Sequence, residues 1–454
     1  MKYVAAVKWC ALVFAVVAFG AGASSVGGPI IPPVPKAIHP NGFDDLVKAA
    51  DILSKLLCRD KGAHHRPECM DPQQWNAPLW IFAHYFREPD LPRLPESDMT
   101  KVTGKDRPAL LAQAMQDSGP VFAGIRNALA KHIVHPPVKR VADLASNMPD
   151  YGALRNLGKW LGLKAHWERE TEHDSDAVAD WAEGLKMGTA IANGAPLIGN
   201  LVSQTLMRLA LNEIATGLPD LKPRDLARME EALISADSTW SDVGNSLLVE
   251  RDYTLRTWEK ERRTLMAASA GEGGPSAVTG ETADDRTARE ELVDHWAGTV
   301  QEMYTVFDDY VRACRAPFSK RANLFPKEPK SALLSIALPN YPKACEKQDE
   351  LRAAIRILAL TAAAERVKRE RGKYPVTLGD LMKADKSLTK QVTTDPFTGD
   401  PLLVRVVDGK FLAYSRGFDG VDDGGRAMTP PLDPSAKGDL TLDSLAPHPL
   451  ISEP

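Results

Sequence analysis

Near the end of the chain three carboxylates, Asp419, Asp422 and Asp423, fall within five positions, with Ser415 just upstream and Gly417, Gly420, Gly424 and Gly425 interspersed. Calcium takes about six to eight hard oxygens in a flexible cage, and glycines permit the sharp turns that aim carbonyls inward. Ser415, Asp419, Asp422 and Asp423 are therefore the candidate calcium ligands. The same residue types also build ordinary solvated acidic turns, so that reading stands beside the first. A second cluster is denser: His166, Glu168, Glu170, Glu172, His173, Asp174 and Asp176. On one helix, residues 166, 170, 173 and 174 would share a face from which Glu168 and Glu172 turn away. That face is either a charged solvent surface or the site of a metal-dependent hydrolase built on residues 166–176.

The cysteines offer a different chemistry. Beyond Cys10, which sits in an apolar N-terminal run, there are four, Cys58, Cys69, Cys314 and Cys345. Four thiols in an oxidising compartment are expected to pair. Short loops close at the least entropic cost, so Cys58 with Cys69 and Cys314 with Cys345 is the expected connectivity. Cys58, His64, His65 and Cys69 have zinc-ligand types, but their spacing matches no zinc pattern. No His-Glu-x-x-His helix, Gly-x-Ser-x-Gly elbow, phosphate-cradling loop or dinucleotide fingerprint occurs. His84, among Trp80, Phe82, Tyr85 and Phe86, reads as a core histidine.

These residues belong to a chain of 454, 44% hydrophobic and 26% charged, with 56 basic and 60 acidic side chains. That length allows two to four domains and a substantial core. The net charge of −4 carries no nucleic-acid footprint. Lys2 and Lys8 precede the apolar run from Trp9 to Phe19, and Ala21-Gly22-Ala23 follows. Residues 1–23 are read as a signal peptide cut before Ser24, which places the mature protein in the periplasm or cell envelope. If the leader stays, Val4 to Ala23 would serve as a membrane anchor, the chain's one expected membrane contact.

Residues 24–40, with Gly27-Gly28-Pro29 and Pro32-Pro33-Val34-Pro35, read as an extended tether. A helical body is expected over 41–349. It opens with Asp44 and Asp45 in the first turn of a helix carrying Leu46, Val47, Ala50, Leu53, Leu56 and Leu57. From Pro108 to Met266 apolar residues recur at helical spacing with little strand-like alternation, which predicts a bundle or stacked α-hairpins. Ala190 to Ile214 is the most apolar interior stretch and reads as one buried core helix. Gly271, Gly273, Gly274 and Pro275 mark residues 267–286 as a flexible loop.

The last part changes character. Leu351, Ala354, Ile355, Leu358 and Ala362 form a helical stripe, and Gly372 and Pro375 stop that helix. Thr377 can cap a short turn, Asp395-Pro396-Phe397-Thr398-Gly399 reads as a turn, and Asp408-Gly409 joins strands at Leu402–Val407 and Phe411–Tyr414. The tail, 427–454, is proline- and acid-rich and is expected to be weakly ordered. The fold class is thus mainly α, with a long helix leading into a small antiparallel β-hairpin module.

Gly372-Lys373-Tyr374-Pro375, Leu378, Leu381, the Asp395–Gly399 turn, the hairpin and Tyr414-Ser415-Arg416-Gly417-Phe418-Asp419-Gly420-Val421-Asp422-Asp423-Gly424-Gly425 together resemble the C-terminal half of type II secretion major pseudopilins. The ending is also similar to that of a group of uncharacterised exported bacterial proteins with a helical body. The likeness covers residues 350–426. It implies a calcium ion in the loop after Tyr414 and a link to secretion or pilus-like machinery. The chain departs from the family in lacking the prepilin leader with its Glu. The family's later acidic ligand has no clear match either, because Arg426 to Pro431 intervene before Asp433. The function expected is a non-catalytic envelope protein, a binding or structural module with a protein partner and no nucleic acid. A periplasmic hydrolase using residues 166–176 is the alternative.

Overall fold

The computed structural model describes residues 31–58, 75–86, 102–141, 150–269, 283–326, 328–338, 341–429 and 437–445. The expected leader, His64, His65, Cys69 and most of the 267–286 loop lie outside the described residues. Residues 31–40 carry no helix or strand. Arg256 holds them to the body by donating to the Pro32 carbonyl at 3.2 Å.

The chain is mainly helical, as the periodicity predicts. Helix α1, Gly42–Leu56, begins where Asn41 accepts a hydrogen bond from the Phe43 N–H, and Asp44 and Asp45 face the positive end of the dipole. Its buried stripe of Phe43, Leu46, Ala50 and Leu53 joins α2, Ala77–Phe86, α3, Arg107–Asp117, and α4, Gly119–Leu129, in one apolar cluster. Gly124 makes that packing close, since a Cβ there would stand 2.9 Å from the Ala49 Cβ.

Helices α5, Tyr151–Glu170, α6, Asp174–Ile191, and α7, Leu197–Gly217, pack on one another. The stretch from Ala190 to Ile214 is therefore not one helix. The chain turns at Gly194, whose φ is +66°, and restarts after Pro196. Proline cannot supply the N–H that a continuing helix needs, and glycine tolerates the left-handed turn. Next come α8, Pro223–Thr239, α9, Val243–Ser269, α10, Ala283–Val293, α11, Trp296–Arg315, α12, Phe318–Arg321, and α13, Ala332–Ala337. The region expected as a loop at 267–286 is thus entered and left by helix.

Helix α14, Tyr341–Arg371, is the spine. The expected boundary at 349/350 falls inside it, because the same helix serves body and module. The predicted stripe is only part of its apolar surface. Ala353, Ile357, Ala359, Leu360 and Ala363 are buried too, so the helix is covered all round between Leu351 and Ala364. Such a helix belongs to the core of a large protein. Cys314 at the end of α11 and Cys345 in α14 form the expected disulfide, with Cα atoms 5.5 Å apart. Cys58 is disulfide-bonded as well, and Cys69, its expected partner, lies outside the described residues.

At the end of α14, Gly372 takes a φ of +78° and stops the helix. Thr377 then caps α15, Leu378–Ala384, by accepting from the Asp380 N–H. Strands β1, Leu403–Val407, and β2, Lys410–Tyr414, pair antiparallel with Val407 opposite Lys410. Asp408 and Gly409, with φ of 50° and 74°, make the tight hairpin turn. The segment expected as a weakly ordered tail is partly built into this module. Ser415 bridges to Leu440, Ala427 to Asp439 and Thr429 to Lys437, and α16, Leu442–Leu445, follows. Met428, Leu440, Thr441 and Ser444 are buried there, which offsets the polar composition that predicted disorder.

Candidate functional site

Each acidic side chain of the C-terminal loop has a definite partner. The Asp419 carboxylate accepts from the Val421 N–H at 3.0 Å, and Asp422 accepts from the Gly424 N–H at 2.9 Å and from the Tyr414 hydroxyl at 3.1 Å. Asp423 is paired with Arg426 at 2.8 Å. Ser415 turns away from this group. Its buried hydroxyl donates to Asp395 at 2.8 Å and accepts from the Gly417 N–H. The structure therefore uses Ser415 to tie the end of β2 to the Asp395–Gly399 turn.

Asp439 is the acid that sequence reasoning missed. It is 0% exposed; one oxygen accepts from the Gly425 N–H at 2.7 Å, and the backbone of Asp423 also hydrogen-bonds the carboxyl. Burial first, and then the charges of Asp422 and Asp423, push its carboxyl up to about 6. A buried carboxylate in the field of two further carboxylates is a chemistry that a hard cation would neutralise. Among the described residues no three His, Cys, Asp or Glu side chains already stand in a ligating array, so a cation would also draw on the loop's carbonyls. The sequence signal for Asp439 was only the Gly438-Asp439 pair. What brings it to the loop is its pairing with Arg426 and Ala427, thirteen and twelve residues upstream.

The acidic His-rich segment does not form one face. Helix α5 ends at Glu170, Glu172 takes a φ of +63°, and α6 restarts at Asp174. His166 lies 3.2 Å from Glu170, which Arg107 also holds at 2.7 Å, while His173 contacts the Thr171 hydroxyl beyond the break. Asp174 and Asp176 stand in the first turn of α6, where their charge complements the dipole. His84 is half-buried, edge-on to Tyr85.

Glu168 goes inward. It pairs with Lys164, which also bonds Asp180 at 2.5 Å, and it hydrogen-bonds the Asp180 side chain as well. Lys164 is legible as an i−4 neighbour, but Asp180 arrives from α6. Burial raises the Glu168 pKa, and burial together with the Asp180 charge pushes Glu183 up to about 7. A carboxyl raised in the folded state loses stability as pH rises, because the unfolded chain ionises first. For Glu183 that loss runs from about pH 4.5 to 7. Glu183→Gln is expected to be as stable as wild type at pH 5 and more stable by about 1 kcal/mol at pH 8. Urea titrations at the two pH values measure this, and parallel shifts at both would remove the assignment.

No protein-family model, curated protein or solved structure matches this chain.

Proposed function

We propose that this chain is a non-catalytic protein of the bacterial cell envelope, a structural or binding module acting with secretion or pilus-like machinery. The observation that carries the reading is the joint between body and terminal module. Phe318 of α12 meets Phe397 and Phe418 of the module edge-on, with ring centres 5.8 and 5.2 Å away, and Phe397 and Phe418 stand 4.9 Å apart. Beside them the Phe318 and Ser319 N–H groups donate to the Pro396 and Phe397 carbonyls at 3.2 and 2.8 Å. Three packed rings and two backbone hydrogen bonds fix the module on the body, and α14 runs through both. A rigid terminal unit of this kind suits a scaffold that presents a fixed surface to a protein partner. The Cys314–Cys345 disulfide suits an oxidising compartment.

The loop would serve as a calcium site in this scaffold, with Asp439 joining Asp422 and Asp423. Calcium would neutralise the buried carboxylate and hold the hairpin, the loop and the 437–441 segment together. Millimolar calcium is expected to raise the unfolding temperature of the full chain relative to chelator, and Asp439→Asn to abolish that difference. An unfolding temperature indifferent to calcium in the wild type would remove the site. For the location, the chain expressed with its own leader in a Gram-negative host should fractionate with the periplasm or envelope and crosslink to a component of that machinery. Recovery in the cytoplasmic fraction with an intact leader would overturn the proposal.

A further inference from the structure

A cleft of about 490 Å³ opens between α6 and α8 and is lined as well by the Lys131–Ile133 stretch after α4. It exists because the two helices present small side chains to each other there, among them Ala182 and Ala190 on α6 and Ala232 and Ala236 on α8. Where alanines face each other, helix packing leaves room that leucines would fill. The volume lies in the range of small-molecule sites. Val178, Ala236 and Ile133 give it a floor that is 1%, 3% and 4% exposed.

The rim is cationic. Lys131, Lys186 and Arg228 line it together with His132, against a single acid, Glu231, among the described lining residues. Two of the cations are partly answered: Lys131 by Asp45 at 2.5 Å and Arg228 by Asp225 at 3.8 Å. Lys186 is exposed, and its charge lowers the pKa of Glu183 one turn away. An apolar floor with cationic groups at the mouth complements a molecule that carries one negative charge on an apolar body.

We propose that this cleft binds a small organic anion, a carboxylate with a short aliphatic or aromatic body, its charge at Lys186 and Arg228 and its body over Val178, Ala182 and Ala236. The site is independent of the calcium loop and of the scaffold reading. It would make the body a carrier or sensor of an amphipathic acid.

The test uses the full chain and anilinonaphthalene sulfonate, an anionic amphiphile whose fluorescence reports binding. Saturable binding of one probe per chain is expected, displaced by octanoate and not by octylammonium. Lys186→Gln combined with Arg228→Gln should weaken it at least about tenfold, with the circular dichroism spectrum unchanged because both side chains are exposed. Ala182→Trp, which fills the cleft while leaving its charge, should weaken the probe comparably. Binding untouched by both variants would overturn the proposal. So would binding of anionic phospholipid vesicles with no displacement of the probe by octanoate, which would assign the charge to a membrane surface.

Discussion

Replacing Arg321 by Ala should destabilise the protein by about 3–5 kcal/mol, the range for breaking a buried ion pair from one side. Arg321 is 2% exposed, and one face of its guanidinium meets Asp349 of α14 at 2.6 Å. The rest donates to the Ala313, Cys314 and Ala316 carbonyls at 3.0, 3.2 and 2.9 Å. The Ala313 carbonyl also accepts from the Ala316 N–H at 3.1 Å, whereas the Cys314 and Ala316 carbonyls, at and just beyond the end of α11, depend on the guanidinium. Truncation would therefore orphan two acceptors and strand a buried carboxylate, at the same corner of the fold that the Cys314–Cys345 disulfide closes. Asp349, which burial pushes up to about 7, would take up a proton in response. The destabilisation should accordingly be smaller at pH 5 than at pH 8. The double variant Arg321→Met with Asp349→Leu should recover part of the loss, since an apolar pair carries no desolvation cost. Denaturant midpoints decide it. A double variant less stable than Arg321→Ala would show that the carbonyl contacts, and not the stranded charge, dominate.

Asp395→Ala is expected to cost about 2–4 kcal/mol through unsatisfied buried donors, and to do so at one end of the molecule. Asp395 is 1% exposed and accepts from the Phe397 N–H at 2.9 Å, the Ser415 hydroxyl at 2.8 Å and the Arg416 N–H at 3.2 Å. One carboxylate thus joins the turn that α12 docks on to the strand that leads into the acidic loop. Without it, hydrogen exchange should accelerate over residues 395–429 and at Phe318 and Ser319, whose N–H groups rest on the turn. Exchange in α5 to α7 should stay as it was. Asp395→Asn keeps one acceptor oxygen and should lose roughly half as much. Uniform acceleration across the body, or none in the module, would be incompatible with this role.

These two residues differ in how readily they could be read. Asp395 belongs to a turn motif visible in the chain, yet its hydroxyl partner stands twenty residues on. Nothing local marks Arg321, one of many surface-type residues by composition, as the most buried cation among the described residues. Asp439 is similar: a Gly-Asp pair in a proline-rich stretch gains its meaning only when the backbone of Arg426 and Ala427 pairs with it.

What the sequence by itself determined is local. Periodicity placed the helices because burial of one stripe is a property of the segment. Caps and turns at Asn41, Gly372, Thr377 and Asp408-Gly409 were legible because their chemistry is completed within a few residues. Loop length favoured the Cys314–Cys345 pairing among three possible connectivities, and the fold decided it. Only the tertiary structure decided the rest. It broke the 166–176 cluster in two, sent Glu168 inward to Lys164 and Asp180, and turned Ser415 from the acidic loop to Asp395. It also covered α14 on every side and opened the cleft between α6 and α8. Each of these depends on which distant segment a side chain meets, and that is settled by how whole faces pack rather than by spacing along the chain.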